Sequence, residues 1–277
     1  MSRRRLGQHF LNDRNILRRI VDALEPQPGD VVLEIGPGKG SLTRELLARG
    51  LTVIAVEKDP RLVAELECGV RNAEWGIDRL SVVEGDALKL DWHALLDAHV
   101  AIPHSAFRTP HWKVAGNIPY SVTSPLLDKA LTPPLPERVV FLVQEEVANR
   151  ITARPGTKTY GALTVGVQAV CRAEKLFVVR AGAFEPPPKV QSALLRLVPL
   201  AEPLIDAASE GQAFRRFVTA CFSQRRKQLR NVLRAVTGKS ATEVAAGLIA
   251  LAIDPAARPE TLAPAQFVSL LHWRTSL

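Results

Sequence analysis

Asn117-Ile118-Pro119-Tyr120 ends an apolar run, Trp112 to Gly116, and brings together an amide, a stiff turn and an aromatic ring. A side-chain amide oxygen and a backbone carbonyl, from Ile118 or Pro119, are acceptors suited to hold the two hydrogens of one amine. Proline fixes φ and stiffens the turn that carries them. The Tyr120 ring offers a flat face on which a planar base can stack. Taken alone the string also fits a strand running into a proline turn, so its meaning rests on what stands around it.

Three upstream strand ends carry groups of a nucleoside site. Val31 to Ile35 is a short apolar run bounded by turn signals, the pattern of a buried strand in a parallel sheet. It opens into Gly36-Pro37-Gly38-Lys39-Gly40 and a helix from Ser41 to about Arg49, with Gly50 as its stop. Glycines at alternate positions let the backbone approach a ligand, and a helix N-terminus favours a negative group. The spacing is GxGxG, not the GxGxxG of dinucleotide-binding folds, which disfavours a dehydrogenase. Leu51 to Val56 reads as a second strand ending at Glu57, placed to accept both hydrogen bonds of a ribose diol. Arg79 to Val83 reads as a third, ending at Glu84-Gly85-Asp86-Ala87, where Asp86 is placed to meet an adenine edge. Either acid alone would pass for a helix cap. Together, at consecutive strand ends of a βαβαβ pattern, they mark the ligand crevice of an open α/β sheet. An acidic ribose site without phosphate-binding lysine chemistry suits S-adenosyl-L-methionine better than NAD or a nucleoside triphosphate.

The elements that position these groups follow in order. Residues 13–24 place Ile16, Leu17, Ile20, Val21 and Leu24 at helical spacing behind Asn12 or Asp13 as cap. Asp59-Pro60 opens another helix, and Thr123 or Ser124 caps one after Tyr120. Residues 98–112 read as a loop. Strands are expected at Arg138 to Val143, Lys175 to Val179 and Ser192 to Val198, with a helix from Glu145 to Ala153. Between the last two strands, Phe184-Glu185-Pro186-Pro187-Pro188 is a stiff loop suited to presenting the Phe184 ring. The expected fold is a Rossmann-like α/β domain over residues 1–200, with a mostly parallel seven-stranded sheet, followed by a small all-helical domain over 201–277.

The formal net charge is +8, and residues 212–239 hold eight Lys and Arg with no acid. That segment reads as one helix with Phe214, Val218, Cys221, Phe222, Leu229, Val232, Leu233 and Val236 on one face. Concentrated positive charge is the footprint of a phosphate-rich partner, although a solvated helix face would look similar. Cys68, Cys171 and Cys221 are far apart, and His99, His104 and His111 lack nearby Cys or carboxylate partners, so neither disulfides nor a metal site is expected. The arginine-rich start lacks a signal-peptide core, and no window approaches the ~20 apolar residues of a membrane span, so a cytoplasmic location is expected.

Several strings resemble the ribosomal RNA adenine dimethyltransferase family, of the type acting on small-subunit 16S rRNA. They are GQHFLND (7–13), EIGPGKGSLT (34–43), the acid at Glu57, GDAL (85–88), NIPYSVTSPLL (117–127), QEEVANRI (144–151), FEPPPKVQSALLRL (184–197) and FSQRRKQLRN (222–231), in family order along nearly the whole chain. The resemblance implies transfer of two methyls to each of two adjacent adenosines near the 3′ end of 16S rRNA in the assembling small subunit, by a monomer. It implies cofactor contacts at His9, Leu11, Gly36, Gly38, Glu57, Asp86, Ala87 and Asn117. Asn117, Ile118, Pro119 and Tyr120, with Phe184 opposite, would hold the flipped base. Arg225, Arg226, Lys227 and Arg230 would hold RNA. His9 departs from the asparagine frequent at that place. Two rivals remain: an erythromycin-resistance methylase of large-subunit RNA, and an assembly factor that only binds.

Overall fold

A computed structural model describes residues 9–71, 77–99, 111–224 and 227–275. The chain divides into two compact units, Met1–Ala148 with Glu174–Val198, and Asn149–Ala173 with Pro199–Leu277.

The first unit begins with a two-residue strand, β1 (Phe10–Leu11), and helix α1 (Arg14–Ala23). Asp13 is the cap, its Oδ1 accepting from Asn15 N at 2.9 Å and Ile16 N at 3.2 Å. There follow β2 (Val31–Ile35), α2 (Ser41–Ala48), β3 (Thr52–Glu57), α3 (Pro60–Arg71), β4 (Leu80–Glu84), α4 (Trp92–His99) and β5 (Trp112–Asn117). A single 3₁₀ turn, Tyr120–Val122, leads into α5 (Thr123–Ala130), then β6 (Arg138–Gln144) and α6 (Glu145–Ile151). Thr123 is therefore the first helical residue, not the cap: Val122 takes that place and makes no side-chain capping bond.

Next come α7 (Ala162–Gln168), β7 (Cys171–Val179), β8 (Phe184–Glu185) and β9 (Ser192–Pro199). The sheet order is β4-β3-β2-β5-β6-β9-β7, parallel from β4 through β6 and antiparallel between β6 and β9. This is the expected seven-stranded, mostly parallel sheet. β2 is buried along its whole length, as a strand covered on both faces must be. At the sheet end away from the glycine loop, Lys113 and Asp30 form a buried ion pair. At the other end β1 pairs antiparallel with β8, Phe10 opposite Glu185 and Leu11 opposite Phe184. This small ribbon is not visible in the sequence, because two residues are too few to show alternation.

The second unit holds α7 and, after β9, α8 (Gly211–Phe222), α9 (Leu229–Thr237), α10 (Ala241–Ala250) and α11 (Pro264–Thr275). Two expectations change here. The division does not follow one boundary near 200, since residues 149–173 pack with the C-terminal helices: Tyr160 Oη donates to Leu262 O at 2.7 Å and Gly156 N to Glu260 O at 2.7 Å. Residues 212–239 are two helices, not one. Continuing α8 past Phe222 would put positions 225 and 226, both arginine, on its apolar face. The helix closes at Ser223 instead, and α9 restarts from an extended Gln228. The segment 100–110, most of the expected loop, lies outside the described residues. Among those described, no helix is long and apolar enough to cross a membrane.

Candidate cofactor and base-binding site

The C-terminal ends of β2, β3, β4 and β5 surround a cavity of about 310 Å³ in the first unit. Its walls include Gly36 and Gly38 after β2, Glu57 at the end of β3, Asp86 and Ala87 after β4, and Asn117 to Tyr120 after β5. His9 and Leu11, from β1 and the residue before it, close another side. Four separate strand ends, with β1 and the residue before it, thus bring every expected cofactor residue to one place.

Local backbone chemistry explains why. Gly36 and Gly38 have φ of +69° and +58°, a region that other residues adopt at a cost. A side chain at Gly38 would meet the Phe10 ring at 3.0 Å. Gly116 is held for a different reason: a Cβ there would lie 2.5 Å from the Ile35 carbonyl, so only glycine lets β5 run this close to the end of β2.

Glu57 is 4% exposed, yet its carboxylate is well supplied with donors. Oε2 accepts from Gly38 N at 3.1 Å, and Oε1 from Lys58 N at 2.8 Å and Asp59 N at 2.9 Å. The acid therefore ties the glycine loop to the end of β3 and keeps one lone-pair position, on Oε2, for a ligand. Asp86 accepts from Lys58 Nζ at 2.8 Å and from Leu88 N at 3.0 Å. The Lys58 bond holds its carboxyl below the usual range.

Asn117 Nδ2 donates to the His9 carbonyl at 2.8 Å. A carbonyl can only accept, so the amide's orientation is set and Oδ1 remains as the acceptor. His9 Nδ1 lies 2.7 Å from Pro186 O and must carry the hydrogen there. The His9 and Tyr120 rings are stacked, centroids 6.1 Å apart and planes at 27°. Tyr120 Oη is 2.6 Å from Ser192 Oγ, which pins the ring, and burial raises the phenol's pKa.

One of the expected site residues is placed elsewhere. Phe184 does not line the cavity: it is 5% exposed and belongs to the apolar cluster with Leu11, Leu17 and Ile20. Its register opposite Leu11 makes it a core side chain, not an exposed stacking face. Of the basic group, Arg225 and Arg226 lie outside the described residues, while Lys227 and Arg230 are exposed on the second unit. Among the described residues no three His, Cys, Asp or Glu converge as metal ligands.

The cavity also holds an acid that the strand-end reasoning passed over. Glu34, inside β2, is 1% exposed and receives Thr43 Oγ1 at 2.7 Å. Burial, with Glu57 nearby, pushes its pKa up to about 8. The signal was available: a charged residue within an otherwise apolar run, VVLEI, directly before the glycine loop.

A mostly parallel seven-stranded sheet, a glycine loop after β2 and acids at the next two strand ends define a Rossmann-like class I S-adenosylmethionine-dependent methyltransferase. The model of the family described as ribosomal RNA adenine dimethylase matches residues 1–275, and the chain belongs to that family. It is 44% identical over 272 residues to the ribosomal RNA small subunit methyltransferase A of Acinetobacter baylyi, covering 97% of this chain and 91% of that one. The enzyme of the same name from Geobacter metallireducens is 41% identical, with coverage of 97% and 94%. Among solved structures, the dimethyladenosine transferase of Plasmodium falciparum superposes with a TM-score of 0.78 at 27% identity, covering 95% of this chain and 96% of that one. The 23S rRNA methyltransferase ErmE gives 0.70 at 28%, covering 96% and 100%.

Proposed function

We propose that this chain dimethylates the exocyclic N6 amine of two adjacent adenosines near the 3′ end of 16S rRNA in the assembling small ribosomal subunit. It would act as a monomer in the cytoplasm. The observation that carries the chemistry is the orientation of Asn117, whose Nδ2 donates to His9 O and whose Oδ1 is thereby turned to accept from an amine.

The cavity fits S-adenosylmethionine: its buried carboxylate, Glu57, suits a ribose diol, and its positive-φ glycines keep side chains out of the loop. When bound, that cofactor supplies an electrophilic methyl on a sulfonium. The protein's task is the nucleophile. Adenine's amine is weak because its lone pair is delocalised into the ring. Two acceptors on its hydrogens favour a tetrahedral nitrogen and aim the lone pair, so catalysis is orientation plus electrostatics. Asn117 Oδ1 is one acceptor. Pro119 O already accepts from Val122 N at 3.1 Å, whereas Ile118 O takes no such backbone bond among the described residues. Ile118 therefore supplies the second. No general base is needed, since the proton leaves a nitrogen already made acidic by methylation and passes to water.

The base must leave its stack, at a cost of a few kcal/mol, and stacking on the pinned Tyr120 ring returns about 1–3 kcal/mol. The second unit, with Lys227 and Arg230 exposed and Arg225 and Arg226 next to them in the sequence, holds the RNA. A pure binding factor would have no use for the oriented amide or the donor-rich Glu57. Methylating under-assembled small subunits and protein-free large-subunit RNA side by side tests the assignment. Label is expected in the small-subunit RNA, and label confined to the large-subunit RNA would overturn it.

A further inference from the structure

The second unit carries fourteen Lys and Arg against six Asp and Glu, a net +8 that equals the whole chain's, so the first unit is balanced at 22 of each. Not all of that charge sits in 212–239. Residues 149–173 add Arg150, Arg154, Lys158 and Arg172 with no acid, and all four are exposed.

The loop between α6 and α7 is the part of this segment built as a presenting surface. Residues 154–159 are all exposed, yet the loop's backbone is held at several points. Thr157 N and Oγ1 both donate to Arg154 O, Tyr160 N donates to Thr157 O, and Tyr160 is fully buried with its hydroxyl on Leu262 O. Gly156 N donates to Glu260 O, while Oε2 of that acid is buried. The same strap, residues 255–262, is bonded on its other side to the start of α9, through Leu229 N to Ala257 O at 2.7 Å and Arg230 N to Pro255 O at 3.4 Å. Backbone bonds thus set the Arg154–Lys158 loop and the Lys227–Arg230 turn on either side of one strap.

Resting on the reading of this unit as RNA-binding, we propose that Arg154 and Lys158 form a second phosphate-contacting site, which engages the RNA backbone together with the Lys227–Arg230 turn. Fixed loops with exposed cations suit contacts that position a nucleic acid without reading its bases.

The test is the salt dependence of binding to under-assembled small-subunit particles, measured with the full chain. Each phosphate contact contributes about 0.9 to the log–log slope on duplex and about 0.7 on single strands. Replacing both residues (Arg154→Gln with Lys158→Gln) should therefore shrink the affinity loss across a fourfold salt range by about 7–12-fold. The charge-conserving pair, Arg154→Lys with Lys158→Arg, should keep the parent slope. An unchanged slope in the folded glutamine variant overturns the proposal. If Lys227→Gln lowers the slope and the loop variant does not, RNA binding stands and this second site falls. If neither does, the reading of the unit falls as well. Weakened binding to anionic phospholipid vesicles with an unchanged RNA slope would assign the loop to a membrane surface and also overturn it.

Discussion

Replacing Glu57 by glutamine keeps the side chain's size and removes its ability to satisfy the donors around it. Both carboxylate oxygens are occupied by backbone N–H groups, one bond on Oε2 and two on Oε1. An amide has only one acceptor oxygen, so its NH₂ must face an N–H whichever way it is turned. The better choice sets NH₂ against Gly38 N, losing one charge-assisted bond and leaving that donor unsatisfied at a site 4% exposed. Such a loss costs about 2–3 kcal/mol, or about 4–12 °C in the unfolding midpoint for a protein of this size. The glycine loop is the piece released, so the cofactor's stabilising effect should weaken too. For the parent that effect is about 2.7 kcal/mol at a hundredfold excess over Kd. Calorimetric scans of Glu57→Gln and parent, with and without S-adenosylmethionine, measure both. A midpoint within about 1 °C of the parent's would refute the claim that Glu57 fastens the loop. A lowered midpoint with an undiminished cofactor shift would refute its role in the ligand site.

Asn117→Ala should lower the single-turnover rate of methyl transfer by about 10²–10³, the range for removing one oriented polar group; rapid-quench measurement with labelled cofactor checks this. Gly116→Ala should destabilise the fold by about 1–3 kcal/mol, as overpacking against a backbone carbonyl does, and denaturant titration reads it directly. Burial raises the folded-state pKa of Glu34 from 4.5 to about 8, so between those values the unfolded chain binds fewer protons. Stability should therefore fall as pH rises through that window and level off above it. Glu34→Gln, which keeps an acceptor for Thr43, should flatten the fall and be the more stable protein at pH 8, as thermal melts from pH 5 to 9 would show.

The sheet was legible in the sequence because buried parallel strands need no periodicity. Val31 to Ile35 and Thr52 to Glu57 are apolar runs cut off by glycine and proline, and a run of that length covered on both faces has few other places to go. What escaped was set by contacts between distant residues. Tyr160 reaches Leu262 across 102 positions, which draws residues 149–173 into the helical unit, and nothing local to that stretch records it. The break between α8 and α9 was closer to hand. The apolar spacing before Phe222 and after Leu229 is regular, but the positions that would join them are arginines.

The site divides along the same line. Gly36, Glu57, Asp86 and Asn117 were found because each stands at a strand end, where chain order alone fixes location in a parallel sheet. Phe184 failed because its role depended on where a side chain points, and pairing with Leu11 buries the ring. The aromatic partner actually beside Tyr120 is His9. Its two contributions are separable. The carbonyl that orients Asn117 is backbone and survives any substitution at position 9, so an asparagine there would leave the acceptor geometry intact. The ring and its bond to Pro186 O belong to histidine in this chain. Orientation of the Asn117 amide is thus built into the meeting of β1 with the end of β5, while the ring beside Tyr120 depends on which side chain stands at position 9.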